Sequence, residues 1–384
     1  MKRSDLLSRA TCALFACFLL GLGVLTLMLP RKEFSEEENR YLEAPPVLSA
    51  EAVASGQYMQ GVASFVSDHV PFRLALLRGK CEVERLLGRG ENNRVLFGKD
   101  GYLIKRLELE DSNALRASLA GACALVSLFE EGGISTTLVC APRAIDVLDA
   151  YLPNGYPKDG ADALTAYLEE HAEGALFPAS LLAEKAARGE PVFFRTDHHW
   201  TPLGAYYIYE MLGEEMGYAP LPLSAFEAEV ATEDFLGTSA SAALLPNVSP
   251  DCIVRYRYEG DGSLTVTDVS TGEVKKGLYR DEFLSEKDKY ACFLGGNFAH
   301  LRITGEGDRP RLLLIKDSYA NCLVPFLACH FDIDLIDLRY LRGDATAYLC
   351  DLIDTAHLDR ALLLFNVQSL SEGVGLAPFA RKIP

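Results

Sequence analysis

The sequence predicts an α/β fold: a three-layer arrangement with a parallel sheet flanked by helices, an inserted antiparallel β piece, and an N-terminal transmembrane helix in front. Three observations carry this expectation. The apolar runs in ISTTLVCAPR, RPRLLLIK, DIDLIDLRY and DRALLLFNVQ read as strands buried on both faces. Segments with apolar residues at three- and four-residue spacing separate them, and strands alternating with helices produce a parallel, doubly covered sheet. The third observation is an unbroken stretch of apolar and small residues from Ala10 to Leu29. At about 1.5 Å per residue it crosses the roughly 30 Å of a hydrocarbon core.

The bulk composition supports a folded chain and excludes some partners. Hydrophobic content of 49% with 24% charged residues is that of a globular protein. At 384 residues the chain exceeds one average domain. A net charge of -17 argues against nucleic acid, whose phosphates need Lys and Arg, and against broad adhesion to anionic lipid. A local basic groove remains compatible with it.

Lys2, Arg3 and Arg9 precede the apolar stretch, while Pro30, Arg31, Lys32 and the acidic EFSEEE follow it. The stretch shows no small-x-small cleavage site, so an uncleaved signal anchor over residues 1–30 is expected. The excess of basic residues before it places the body outside the cytoplasm, as a single-pass protein of the cell membrane. Residues 31–60, with APPVLS, read as an extracytoplasmic tether, and residues 61–384 as the body.

Within the body, helices interrupted at Pro71 come first, then a hairpin around Lys99-Asp100-Gly101. A helix over 111–131 stops at Gly132-Gly133, and helices follow at 160–173 and 178–188. PVFFRTDHHW reads as a short strand, and Thr201-Pro202 as the cap and first turn of the next helix. Residues 220–300 alternate and turn at Gly-Asp-Gly and Ser-Thr-Gly, which predicts the antiparallel insertion. A strand, tight turn and helix over RPRLLLIKDSYANCLVPFLACHF and two more buried strands complete the chain. No Cys spacing suits a metal; Cys252 with Cys292 is the pair expected if an oxidising exterior forms a bridge.

Two stretches carry chemistry. Ser318 stands where an apolar strand gives way to a helix, a position that suits a helix cap or a nucleophile with fresh backbone donors beside it. A serine becomes nucleophilic when a base takes its proton and a carboxylate holds that base. Asp197-x-His199 offers such a pair in extended conformation, where residues two apart share a side. His198 then points away toward packing or a backbone hydrogen bond, and Trp200 is a wall. Zinc wants three or four converging ligands and adjacent histidines rarely reach one ion, so no metal is expected. His69 is expected to pack at the surface.

The combination of TDHHW, KDSYAN and the earlier FGKDGYL resembles the DHHW family of bacterial exported proteins. It is similar more broadly to the SGNH-hydrolase-like acetyltransferases of exopolysaccharides, including alginate acetyltransferases, over most of the chain after the anchor. The resemblance implies an SGNH-hydrolase-like fold with Ser318 as nucleophile, His199 as base and Asp197 as its orienting carboxylate. Asn366 stands where that pattern has its oxyanion-hole asparagine, and Arg143, Arg339 and Tyr340, also at predicted strand ends, are further cleft candidates. The sequence departs from ordinary SGNH esterases in having Lys-Asp before the serine and no GxND at Asn366. The implied activity is O-acetyl transfer through an acyl-serine to a cell-surface polysaccharide, with no cofactor. A polytopic membrane-bound O-acyltransferase is the implied acyl donor. The same triad with water as acceptor is a carbohydrate acetyl esterase; a non-enzymatic cell-wall glycan-binding module is the alternative of a different class.

Overall fold

Leu312 and Leu314 turn to one side of their strand, Leu313 and Ile315 to the other, and none of the four is exposed. Two apolar cores therefore lie on opposite faces of one sheet, which is why the strand has no polar alternation. The computed structural model describes residues 3–38, 40–106, 112–157 and 160–382. The chain divides into two units, Met1–Asn92 with Leu244–Asn247, and Asn93–Ala243 with Val248–Pro384.

In the first unit, α1 (Arg3–Met28) contains the apolar span Ser8–Thr26. Among the described residues it is the one helix long and apolar enough to cross a membrane. Helices α2 (Gln57–His69) and α3 (Arg73–Leu86) flank Pro71. Both belong with this unit, which runs to Asn92. The expected tether is also structured: Phe34–Ser35 pairs with Arg40–Tyr41, and Ser49 caps a short helix over Ala50–Ala54. His69 lies against Phe65, its ring nitrogens bonded to the Phe65 and Lys32 carbonyls.

The second unit opens with the hairpin β1 (Val95–Phe97) and β2 (Leu103–Lys105), turned at Asp100 with a φ of 54°. Next come α4 (Ser112–Glu131), β3 (Ser135–Ala141), α5 (Gly160–His171), α6 (Ala179–Ala187) and α7 (Pro202–Met216); position 111 of the expected fourth helix lies outside the described residues. Thr201 caps α7 by accepting from the Gly204 N–H. The later elements are β4 (Glu227–Phe235), β5 (Asp251–Arg257), β6 (Thr265–Asp268), β7 (Val274–Lys276), β8 (His300–Thr304), β9 (Arg311–Lys316), β10 (Asp332–Ile336), α8 (Ala345–Ala356), β11 (Arg360–Asn366) and α9 (Val367–Glu372).

The central sheet has the order β7-β6-β8-β10-β9-β11-β3. From β10 to β3 its neighbours are parallel; from β7 to β10 they are antiparallel. The region expected as one inserted piece is therefore split. β4 and β5 form a separate ribbon with register shifts, whereas β6 and β7 extend the main sheet, because antiparallel β8 presents its other edge to β6. The Cys252–Cys292 bridge does not form: Cys252 faces outward from β5 and Cys292 is fully buried elsewhere. PVFFRTDHHW is likewise no strand. It makes one isolated bridge, Phe193 with Trp200, and bends through the residues between.

Candidate active site

β9, β11 and β3 end together, with Lys316 beside Leu364 and Asn366 beside Ala141, and Ser318 stands two residues past the end of β9. Asp317, fully buried, ties the turn to the sheet: its carboxylate accepts from the Tyr319 N–H at 2.9 Å and the Asn366 N–H at 2.7 Å. Past Asp317 the chain makes a five-residue 3₁₀ turn, Ser318–Cys322, and then a four-residue helix, Val324–Leu327. The expected helix after the turn is only four residues long, with Pro325 in its first turn. Backbone donors here act singly, without the dipole of a long helix behind them.

The structure brings Ser318, His199 and Asp197 together across 119 positions of sequence. Ser318 Oγ lies 2.8 Å from His199 Nε2, and Asp197 Oδ1 lies 2.5 Å from His199 Nδ1. The pair arises differently from the extended geometry expected. The His199 backbone N–H also donates to Asp197 Oδ1, at 3.0 Å, so the segment is an Asx-type turn that folds the carboxylate back onto the ring two residues later. Tyr290 stacks on the His199 ring with centroids 4.1 Å apart, and donates through its hydroxyl to the Ser318 carbonyl. Trp200 donates its indole N–H to the Tyr319 carbonyl, joining the two segments from behind.

The other carboxylate oxygen is held as firmly. Asp197 Oδ2 accepts from the Thr238 N–H at 2.7 Å and the Thr238 hydroxyl at 3.0 Å. With that hydroxyl's proton committed, the His198 Nδ1 at 2.6 Å from Thr238 Oγ1 must be the donor. His198 is thus a polar partner of the carboxylate through Thr238, a role other than the packing or backbone hydrogen bond expected of it. Gly237 leaves the space: a Cβ there would come within 2.3 Å of Asp197 Oδ2. Gly237→Ala is expected to displace the carboxylate and slow any reaction at Ser318 about 100-fold. Measured rates within a factor of about three of the parent would show that the contact does not matter.

Burial shapes the charges. It pushes the Asp197 carboxyl upward, but the His198 and His199 neighbours outweigh it and hold the group well below the usual carboxylate range. Burial, aided by His198 and opposed by Asp197, pushes His199 down to about 4. At neutral pH the ring is neutral and Nε2 is free to accept a proton.

The remaining candidates divide. Asn366 does not offer its amide to the serine: its side-chain N–H groups donate to the Ala141 and Pro142 carbonyls, and its Oδ1 accepts from the Gln368 N–H, capping α9. The oxyanion role expected of it is therefore corrected to a structural one. Arg143 is buried with its guanidinium on Asp146, at 2.6 and 2.9 Å. Arg339 clasps Asp337 with two hydrogen bonds, yet its side chain stays 33% exposed, and the half-exposed Tyr340 lies under it.

Asp337 belongs to a buried network that sequence reasoning missed. Lys316, with no exposed surface, donates to Asn297 and Asn321 at 2.7 and 2.8 Å and stands 3.7 Å from Asp337. Burial pushes its ammonium down to about 8, against the pull of Asp337. Because Asn321 lies in the serine's own turn, this lysine clamps the turn. Lys316→Met leaves buried acceptors unpaired and is expected to cost about 3 kcal/mol. A denaturant midpoint equal to the parent's, at unchanged slope, would refute this.

Asp197, His198 and His199 also present ligand-type atoms within 4.8 Å of one another. The donor set fits a metal poorly, since His199 Nδ1 and His198 Nδ1 are both committed to hydrogen bonds and only one carboxylate is present in the cluster.

Likeness to known proteins centres on the same segment. Residues 179–336 match the family model described as DHHW protein. Among curated proteins no sequence matches the chain. Two of the solved structures that share the fold are these. A DHHW family protein from Eubacterium siraeum is 23% identical, with a TM-score of 0.60, over 76% of this chain and 96% of that one. PatB1 of Bacillus cereus is 20% identical, with a TM-score of 0.59, over 73% of this chain and 97% of its own; it has also been solved with a sulfonyl adduct. The matched residues hold the aspartate, both histidines, the tryptophan and Ser318, and the fold of this chain is the one those two structures share.

Proposed function

We propose that the chain is a membrane-anchored, extracytoplasmic O-acetyltransferase that carries an acetyl group on Ser318 to a hydroxyl of a cell-surface polysaccharide. One observation carries the reading: a serine hydroxyl 2.8 Å from a buried imidazole whose other nitrogen rests on a buried carboxylate. Nucleophilic catalysis explains a neutral, desolvated histidine aimed at a hydroxyl better than packing does.

In the first half-reaction His199 Nε2 takes the Ser318 proton as Oγ attacks the acyl carbonyl. The tetrahedral oxyanion is met by the Ser318 N–H, at the first position of the turn, where helical backbone donors have no internal acceptor. Collapse expels the leaving group, which takes the proton from His199. In the second half a sugar hydroxyl gives its proton to His199 and attacks the acyl-serine, and the proton returns to Ser318 Oγ. Arg339, whose side chain is partly exposed, is the proposed cation for a polar donor or acceptor. A polytopic membrane-bound O-acyltransferase would supply the acyl group to the outer face. α1 would be the anchor.

The test is the fate of the acyl group. The full chain is acetylated with an activated acetyl ester and offered a polysaccharide-derived oligosaccharide. Acetylated oligosaccharide forming faster than free acetate supports transfer; acetate alone, at a rate indifferent to acceptor, makes the protein an esterase.

The pH dependence follows from His199. Its proton affinity in the folded chain is low, so acylation is expected to be level through neutral pH and to fall about tenfold per unit below about 4. An inflection near the ordinary histidine value of about 6.5 would contradict this. Stability moves in the same sense. Between the folded value of about 4 and the unfolded one the unfolded chain binds the extra proton, so the contribution is whole above the unfolded value and declines as pH falls.

A further inference from the structure

Helix α3 and the residues that bound it carry an apolar stripe open to solvent. Cys81 turns inward and is buried, while Phe72, Leu76, Val83, Leu86 and Leu87 stand between 54% and 83% exposed. At 3.6 residues per turn these positions fall within one arc of about 100°, the width of a stripe built to be buried. Of the basic residues in this segment, Arg73, Arg78, Arg85 and Arg89 pair with Glu38, Glu37, Glu82 and Glu84. Lys80, 64% exposed, borders the stripe. The start of α3 lies beside the end of the apolar helix, since Leu29 and Pro30 line one cavity of about 610 Å³ with Phe72 and Arg73.

We propose that α3 lies flat in the headgroup layer of a phospholipid bilayer, on the side where α1 emerges, with its stripe inserted toward the acyl chains. The inference rests on reading α1 as a membrane span. An exposed aliphatic and aromatic arc is the pattern of an interfacial helix, and Lys80 at its edge can lay its stem along apolar surface with its charge toward the phosphates. Continuity with the span selects lipid as the occupant, because a helix that begins where a membrane helix ends is already at the height of the headgroups. The first unit is then held at two places, by the span and by the surface helix, which restricts its tilt.

The full chain is reconstituted in vesicles of equal parts phosphatidylcholine and phosphatidylglycerol carrying a phosphatidylcholine with a photoactivatable acyl chain, and adducts are mapped by peptide. Adducts are expected on residues 8–26 and on residues 72–87. In a triple variant combining Leu76→Glu, Val83→Glu and Leu86→Glu, the second signal is expected to fall about tenfold with the first unchanged. Because all three positions are exposed, the variant should keep the parent's circular dichroism and melting temperature; the single change Val83→Glu, expected to lower the signal severalfold, serves if it does not. Adducts on 8–26 alone overturn the surface helix and leave the span standing. Adducts on neither segment overturn the span, and the proposal with it. Equal labelling of α3 in parent and variants also overturns the proposal.

Discussion

Ser318→Ala is expected to abolish covalent acylation of the chain and to reduce transfer at least about 10⁴-fold. The hydroxyl is the oxygen that His199 Nε2 meets, at 2.8 Å, and alanine removes it without disturbing what holds the turn. Asp317 still ties the Tyr319 and Asn366 N–H groups, Lys316 still holds Asn321, and Tyr290 still donates to the carbonyl of residue 318. The variant should therefore fold like its parent. Intact-mass measurement after incubation with a sulfonyl fluoride and, separately, with an activated acetyl ester reads the result directly. One adduct per parent chain and none on the variant is expected, with the modified peptide containing Ser318. Equal modification of both proteins would remove the nucleophile and, with it, the acyl-transfer reading.

Asp197→Asn is expected to slow acylation about 10⁴-fold while leaving the fold in place. The carboxylate receives four hydrogen bonds: the ring and backbone N–H of His199 on one oxygen, the N–H and hydroxyl of Thr238 on the other. An asparagine has one acceptor oxygen, so its NH₂ must face donors on one side. Facing Thr238, it breaks the brace; facing His199, it favours the tautomer with the proton on Nε2, which can no longer take the serine's proton. Either orientation disables the base. The measurement is the rate of adduct formation at neutral pH, with the thermal transition as control. A variant that reacts within about tenfold of the parent would mean that the carboxylate serves stability alone.

The two effects differ in kind from that of Gly237→Ala. Alanine there leaves every polar group intact and moves the carboxylate by steric contact, so its smaller loss reports how far positioning alone matters. Together the three variants separate the nucleophile, the charge behind the base, and the space that charge occupies.

How much of this was legible in the sequence depends on whether the signal was local. The parallel strands were, because burial on both faces demands continuous apolar runs such as RLLLIK and ALLLFN. So was the capped start of α7, since Thr201 and Pro202 act within a few residues. The adjacency of Asp197 and His199 was readable too, although the chain achieves it by an Asx turn and not by a strand. Asn366 shows the limit of position-matching. Its place at a strand end was correct, but the two carbonyls that take its amide lie on a neighbouring strand's end and could not be seen from its own.

Sequence by itself determined most of the element types, the apolar N-terminal span and the identities of the serine, histidine and aspartate, because side-chain chemistry and hydrophobic period are written residue by residue. Tertiary structure alone decided that those three meet, that Thr238 and Gly237 shape the carboxylate's seat, that Tyr290 covers the ring, and that β6 and β7 join the main sheet. Each of these depends on segments tens of residues apart arriving at one place. Such arrivals are set by the packing of two cores across a sheet, a property of the whole chain that no short stretch of it carries.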